Sequence, residues 1–177
     1  MSIDKTILAV DLDNTLIKTD MIFVGLKSLF FKKLYLFPKL LLLLTFKGKT
    51  YAKKFLYDNT QFSVTNIPFN NTVIDFIKLN KKHYISTILI SGSYYEYVDY
   101  IADYLKIFDC RVGTTLGNNM ISMNKVKYIR DKFGNTAFDY IGDSTKDIPI
   151  WLEARKAYVV NSERIKKKIK NIDYISI

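Results

Sequence analysis

Asp11 and Asp13 stand two residues apart where a short apolar run ends, in "ILAVDLDNTLIKTD" (7–20), and Asp20 follows. Carboxylates at such a place pack poorly and are costly to hold unless a charge sits between them. Mg²⁺ is a hard cation that takes oxygen ligands, often one or two carboxylates plus a substrate phosphate. A carboxylate is also a nucleophile able to form an aspartyl-phosphate. Residues i and i+2 share a strand face, and past the strand's end the chain can turn both toward one ligand. Similar positions recur, with Ser91 and Gly92 after "STILI" and Asp143 after "FDYIG". The chain has one histidine, His83, and one cysteine, Cys110. That argues against a zinc tetrahedron of His and Cys. It also leaves a Ser-His-Asp hydrolase only His83 to rely on, and it rules out an internal disulfide.

The elements that must position these residues alternate in type. The apolar runs 6–13, 83–91, 138–143 and 156–161 predict buried parallel strands. Val73, Ile74, Phe76 and Ile77 form one helical stripe, and Val98, Ile101, Ala102 and Leu105 form another. Asn124 and Ser162 are the expected N-caps of later helices. Such alternation predicts an α/β sheet with helices on its faces. In open sheets of that kind, sites gather at the carboxyl ends of the strands. Asp11, Asp13, Ser91 and Asp143 all fall at those ends. A chain of 177 residues with seven Gly and three Pro suits one domain carrying an insertion.

Four segments resemble, in order, the motifs of the haloacid dehalogenase (HAD) superfamily of phosphatases. Asp11-Leu12-Asp13-Asn14-Thr15 resembles DxDxT, and Ser91 the second motif. Lys125 in "NKVKYIRDKFG" resembles the third, and Gly142-Asp143-Ser144-Thr145-Lys146-Asp147 the fourth. The resemblance implies a HAD-like Rossmannoid three-layer sandwich with a parallel sheet, and a small helical cap inserted after the first strand. The core would be 1–18 and 69–177, and the cap 19–68. It implies an Mg²⁺-dependent phosphomonoesterase with Asp11 as nucleophile and Asp13 as acid, then base. Mg²⁺ would be held by Asp11, the Asp13 carbonyl and Asp143. Ser91 and Gly92 would bind phosphate, with Lys125 offsetting its charge. Thr15 would support the site, and Asp147 would orient Lys125 or the metal's waters. Dehalogenases of the superfamily lack the Asp13 equivalent, which favours a phosphatase. Lys127 also lies within reach by sequence; the spacing to "KFG" favours Lys125.

The stretches "DLDNTLIKTD" and "KFGNTAFDYIGDSTKDIPIWLEARKAYVVN", with the basic Leu-rich segment after the first, resemble the HAD domain fused ahead of UbiA-type prenyltransferases. That implies a lipid-linked phosphate or sugar phosphate as substrate, and a membrane prenyltransferase as a candidate partner.

Residues 21–60 carry eight lysines among Leu and Phe. Helices of that composition suit an anionic membrane surface; the plainer reading is a cap packed on the core with its lysines solvated. Pro38 is expected to end or kink a helix. The run Leu40–Leu44 is apolar around a whole helix, more than one packed face requires. A formal net charge of +10 calls for an acidic partner, with nucleic acid the least favoured. "MSIDKTILAV" is unlike a signal peptide, and no apolar run reaches spanning length, so the expected location is cytoplasmic, with membrane contact at the inner face. A non-catalytic membrane- or enzyme-docking module on the same fold is one alternative function, and a nucleic-acid end phosphatase is the other. Tyr94, Tyr95, Tyr97, Tyr100 and Tyr104 are expected on one helix, with Tyr94 near the pocket. Asp20 reads as a helix N-terminal acid, Trp151 and Leu152 as core, His83 as loop or strand edge, and "RIKKKIKN" (164–171) as a solvated helix face.

Overall fold

A computed structural model describes residues 6–177. Asp4, ahead of the first strand, lies outside them. Six strands form one parallel sheet in the order β3-β2-β1-β4-β5-β6, the strands being β1 Thr6–Val10, β2 Ser86–Tyr94, β3 Cys110–Thr114, β4 Ala137–Gly142, β5 Lys156–Val159 and β6 Tyr174–Ser176. Every pairing is parallel, so each crossover returns over a face of the sheet. The helices that do this are α4 Asn71–Asn80, α5 Tyr95–Leu105, α6 Met123–Phe133, α7 Ile148–Glu153 and the short α8 Ser162–Ile165. Three more lie between β1 and α4: α1 Met21–Lys32, α2 Phe37–Phe46 and α3 Lys49–Asn59.

Alternation along β1 sorts the core into two layers. Leu8 and Val10 pack with Val73, Ile74 and Ile77 of α4 and Val98, Ile101 and Ala102 of α5. Ile7 and Ala9 pack with Val126 and Ile129 of α6 and Ile150 and Trp151 of α7. Both expected helical stripes are therefore core. A third, smaller cluster joins Leu29, Leu40, Ala52, Phe55 and Leu56 within α1–α3.

The two chain crossings that flank α1–α3 lie side by side. Ile17 and Phe69 form an antiparallel bridge. Lys18 donates its N–H to the Pro68 carbonyl at 2.7 Å, and Asn70 donates to Leu16 at 2.9 Å.

Several local expectations need correction. The first strand ends at Val10 rather than Asp13, because Asn14 turns the chain at φ 54. Pro38 starts α2 instead of ending a helix, since the first turn needs no N–H from it. Asn124 lies inside α6, whose cap is Ser122, and donates its amide to the Asn119 carbonyl. Ser162 is the first residue of α8, capped by Asn161, and its hydroxyl bonds Ser176. Tyr94 ends β2 and caps α5 rather than lying on it. Leu152 is 67% exposed, while Trp151 is buried as expected. The 164–171 segment forms only a short helical turn, with Ile165 and Ile169 buried beneath its lysines.

One polar cluster lies inside this frame. Asp139 on β4 is fully buried and accepts two bonds from Arg155, Nε at 2.9 Å and Nη2 at 2.8 Å, plus the Tyr84 hydroxyl at 2.8 Å. Removing the cation from such a pair strands a buried charge. Arg155 itself reaches solvent, so urea unfolding of Arg155→Met should show a loss of about 1.5–3 kcal/mol, the range for hydrogen bonds to a charged group. Adding Asp139→Asn should restore much of it; a single-variant loss below about 1 kcal/mol would show the pair to be well solvated.

Candidate active site

β1 is central, so its end has β2 on one side and β4 on the other. Val10 is in register with Leu89 and with Ile141, which brings Asp11, Ser91 and Asp143 to one edge of the sheet. The Asp11 N–H extends the ladder to the Ile141 carbonyl at 2.9 Å. Asp11, Thr15, Ser91, Lys125, Asp143 and Asp147 are all buried. Asp11, Asp13, Gly92, Lys125, Asp143 and Asp147 line a cavity of about 140 Å³. Ile22 and Lys53, from α1 and α3, also line it.

Lys125 settles which lysine enters. Its Nζ donates to Asp11 Oδ1 at 2.8 Å and to the Tyr140 hydroxyl at 2.7 Å, and lies 3.7 Å from Asp147 Oδ1. Lys127, two residues on, faces outward and is exposed. Tyr140 donates in turn to Asp147 Oδ1 at 2.8 Å, and Asp147 Oδ2 accepts from the Ser144 N–H and hydroxyl. Asp147 thus closes a capping box at its own helical turn while facing the cavity. Gly142 has no room for a side chain: a Cβ would come within 2.8 Å of Asp147 Oδ2.

Asp13 is held quite differently. Oδ2 accepts from the Ser93 hydroxyl at 2.6 Å and the Ser91 hydroxyl at 3.3 Å, and Oδ1 accepts the Met21 N–H at 2.9 Å. That N–H opens α1, and Asp20 caps the same helix through the Ile22 N–H at 2.7 Å. Ser91 is fully buried and also accepts the Ser93 N–H at 2.9 Å. The Gly92 carbonyl faces Lys53 Nζ at 2.6 Å. Thr15 donates weakly to Asp143 Oδ1 at 3.4 Å.

Burial shapes the electrostatics. It pushes the Asp11 carboxyl up to about 7 despite the opposing pull of Lys125. It raises Asp143 to about 6, with the Asp147 charge adding to the effect. Burial and then the Asp20 charge raise Asp13 above the usual carboxylate range. Burial opposes the charge on Lys125, but Asp11 and Asp147 outweigh it and raise its pKa. Burial lowers Lys53 to about 8.

Asp11, Asp143 and Asp147 offer one oxygen each within 4.8 Å of one another. A buried, all-oxygen carboxylate set carrying this much negative charge against one buried lysine fits a hard divalent cation such as Mg²⁺. Its third carboxylate is Asp147; the Asp13 carboxylate is committed to Ser91, Ser93 and Met21, which leaves the backbone carbonyl as the Asp13 ligand expected from the sequence.

Three contributors escaped the sequence reading. Ser93 lies two residues past Ser91, so the strand's period of two already put it on the same face. Tyr140 read as a core residue of an apolar strand. Lys53 was one lysine among eight.

No protein-family model matches the chain. A curated relative, the uncharacterized protein y4nM of Sinorhizobium fredii, is 30% identical over 159 residues. That match covers 88% of this chain but only 30% of the relative's length. Among solved structures, apo phosphoserine phosphatase aligns with a TM-score of 0.65 at 15% identity, over 98% of this chain and 93% of that one. The fold is the HAD fold. A HAD-family hydrolase from Salmonella enterica serovar Typhi gives a TM-score of 0.68 at 15% identity, over 96% of this chain and 66% of that one. Those two neighbours are a phosphatase and a hydrolase, and what this chain shares with them is the fold.

Proposed function

We propose that the protein is an Mg²⁺-dependent phosphomonoesterase working through an aspartyl-phosphate on Asp11. The supporting observation is the division of labour between two neighbouring carboxylates on one small cavity. Asp11 is held by Lys125 and lies in the cation cluster; Asp13 is held by serines and a helix N–H, outside it. Environments that differ in this way are how one site keeps a nucleophile and an acid apart.

An Asp11 carboxylate oxygen attacks phosphorus, and the P–O bond to the alcohol breaks. The leaving oxygen takes a proton from Asp13, whose pKa burial raises above the usual carboxylate range. Asp13, now a carboxylate, removes a proton from water. That water attacks phosphorus, releasing phosphate and restoring the Asp11 carboxylate. Lys125 offsets charge on the phosphoryl oxygens, while the Ser91 hydroxyl and the backbone at Gly92 position them. Asp11, Asp143 and Asp147 would hold Mg²⁺, which when bound supplies charge neutralisation at the phosphoryl group.

The cavity is sized for the phosphoryl group, so the alcohol part of a larger ester extends past Ile22 and Lys53. The likeness to HAD domains that precede UbiA-type prenyltransferases supports a lipid-linked phosphate as that ester, with Ile22 an apolar contributor to the lining from α1.

The test is hydrolysis of p-nitrophenyl phosphate and of a polyprenyl phosphate, with Mg²⁺ and with chelator. Turnover that stops on chelation and returns with Mg²⁺ is expected. Turnover unaffected by chelation would overturn the Mg²⁺-dependent reading. Mg²⁺ failing to raise the melting temperature, with neither ester hydrolysed, would favour a docking module.

A further inference from the structure

More than half of the large apolar side chains left exposed among the described residues fall between 22 and 51. Phe31 is 73% exposed, Tyr35 75%, Leu41 62% and Phe46 82%. Of the ten residues of α2, only Leu40 is buried. The small cluster centred on Leu29, Leu40 and Phe55 consumes one side of α1–α3 and leaves the other uncovered. An apolar surface of this extent marks an interaction site.

Its charge narrows the occupant. Residues 21–57 contain lysines at 27, 32, 33, 39, 47, 49, 53 and 54 and no acidic residue. Lys27, Lys32, Lys39, Lys47 and Lys49 are exposed. Aliphatic and aromatic side chains ringed by cations alone are the signature of an anionic lipid surface, where the apolar groups enter the acyl boundary and the ammonium groups stay among the headgroups. A second copy of the chain would bring like charges face to face, and protein interfaces are poor in lysine. Single-stranded nucleic acid would use the aromatics for stacking but has no use for Leu41, Leu42 and Leu44. No helix among the described residues is long and apolar enough to cross a membrane, so contact through this surface lies in the interface plane.

We propose that the outer face of α1 and α2 seats the protein on an anionic lipid bilayer. The proposal is independent of the catalytic reading, because Phe31, Leu41, Lys27 and Lys39, on which its test rests, do not line the acidic cavity.

Flotation with vesicles of pure phosphatidylcholine and of mixed phosphatidylcholine and phosphatidylglycerol tests it, using the full chain. The protein should float with the mixed vesicles and not with the neutral ones. Phe31→Ser combined with Leu41→Ser should weaken binding by about tenfold or more. Lys27→Glu with Lys39→Glu should do the same, and salt should mimic the charge change alone. All four positions are exposed, and melting curves would verify folding. Absent flotation with folded protein, equal flotation on both vesicle types, or displacement by single-stranded DNA would each overturn the proposal. So would a concentration-dependent dimer that the Ser substitutions abolish while vesicle binding persists, since the surface would then belong to a second copy.

Discussion

Asp11→Asn should abolish hydrolysis, lowering kcat by about 10⁴-fold or more while the fold persists. The amide keeps the shape of the carboxylate, and its oxygen can still accept from Lys125 Nζ, which lies 2.8 Å away in the native site. What it lacks is the charge and the nucleophilic oxygen. Native Asp11 is buried beside other carboxylates and carries a raised pKa, so its neutral replacement should melt no lower than wild type in chelator. Beryllofluoride, which bonds to a carboxylate as an acyl-phosphate mimic, should stabilise wild type with Mg²⁺ and leave the variant unmoved. Retained turnover in Asp11→Asn would remove the covalent step from the mechanism and turn attention to direct attack by water.

Lys125→Met should damage both stability and rate. Lys125 is 3% exposed and is the buried cation facing Asp11 and Asp147. Breaking such a pair costs about 3–5 kcal/mol. For a chain of this size that corresponds to roughly 10 °C in melting temperature. The loss has a pH signature in chelator. Burial raises Asp11 from the ordinary carboxylate value of 3.8 to about 7 in the folded state, so between those values the folded protein binds more protons than the unfolded one. Metal-free stability from this group is greatest at the acidic end and falls as pH rises toward 7. At pH 5 Asp11 is already protonated and needs Lys125 less. The deficit of Lys125→Met should therefore be larger at pH 8 than at pH 5. The rate with Mg²⁺ should fall by about 10²–10³-fold, the range for losing one preorganised positive group. Equal melting deficits at both pH values would show that Lys125 acts by packing alone.

The sheet was legible where strands are buried on both faces. β1, β2, β4 and β5 read as apolar runs because helices cover both their surfaces. β3 and β6 did not. They are edge strands, and "CRVGT" puts Arg111 where an interior strand would carry an aliphatic residue. The acids were legible because a carboxylate at the end of an apolar run is expensive without a purpose. Tyr140 was not, since a tyrosine in an apolar strand looks the same whether its hydroxyl is idle or bridges Lys125 to Asp147. Lys53 was hidden by its neighbours: composition marks the lysines of 21–57 as a group, and only the packing of α3 against β2 singles out the one that reaches the Gly92 carbonyl.

The Ile17–Phe69 bridge has a consequence for how such a protein diversifies. Lys18 and Pro68 already touch through a backbone hydrogen bond, so a short turn could join them directly. Everything proposed to break the phosphate bond lies outside the stretch between them. We propose that this stretch is an exchangeable part, so that recognition can change while the chemistry is kept, provided the core places of Met21, Val64 and Ile67 are refilled. One condition travels with it: any replacement must return a helix N-terminus to Asp13, as Met21 does here.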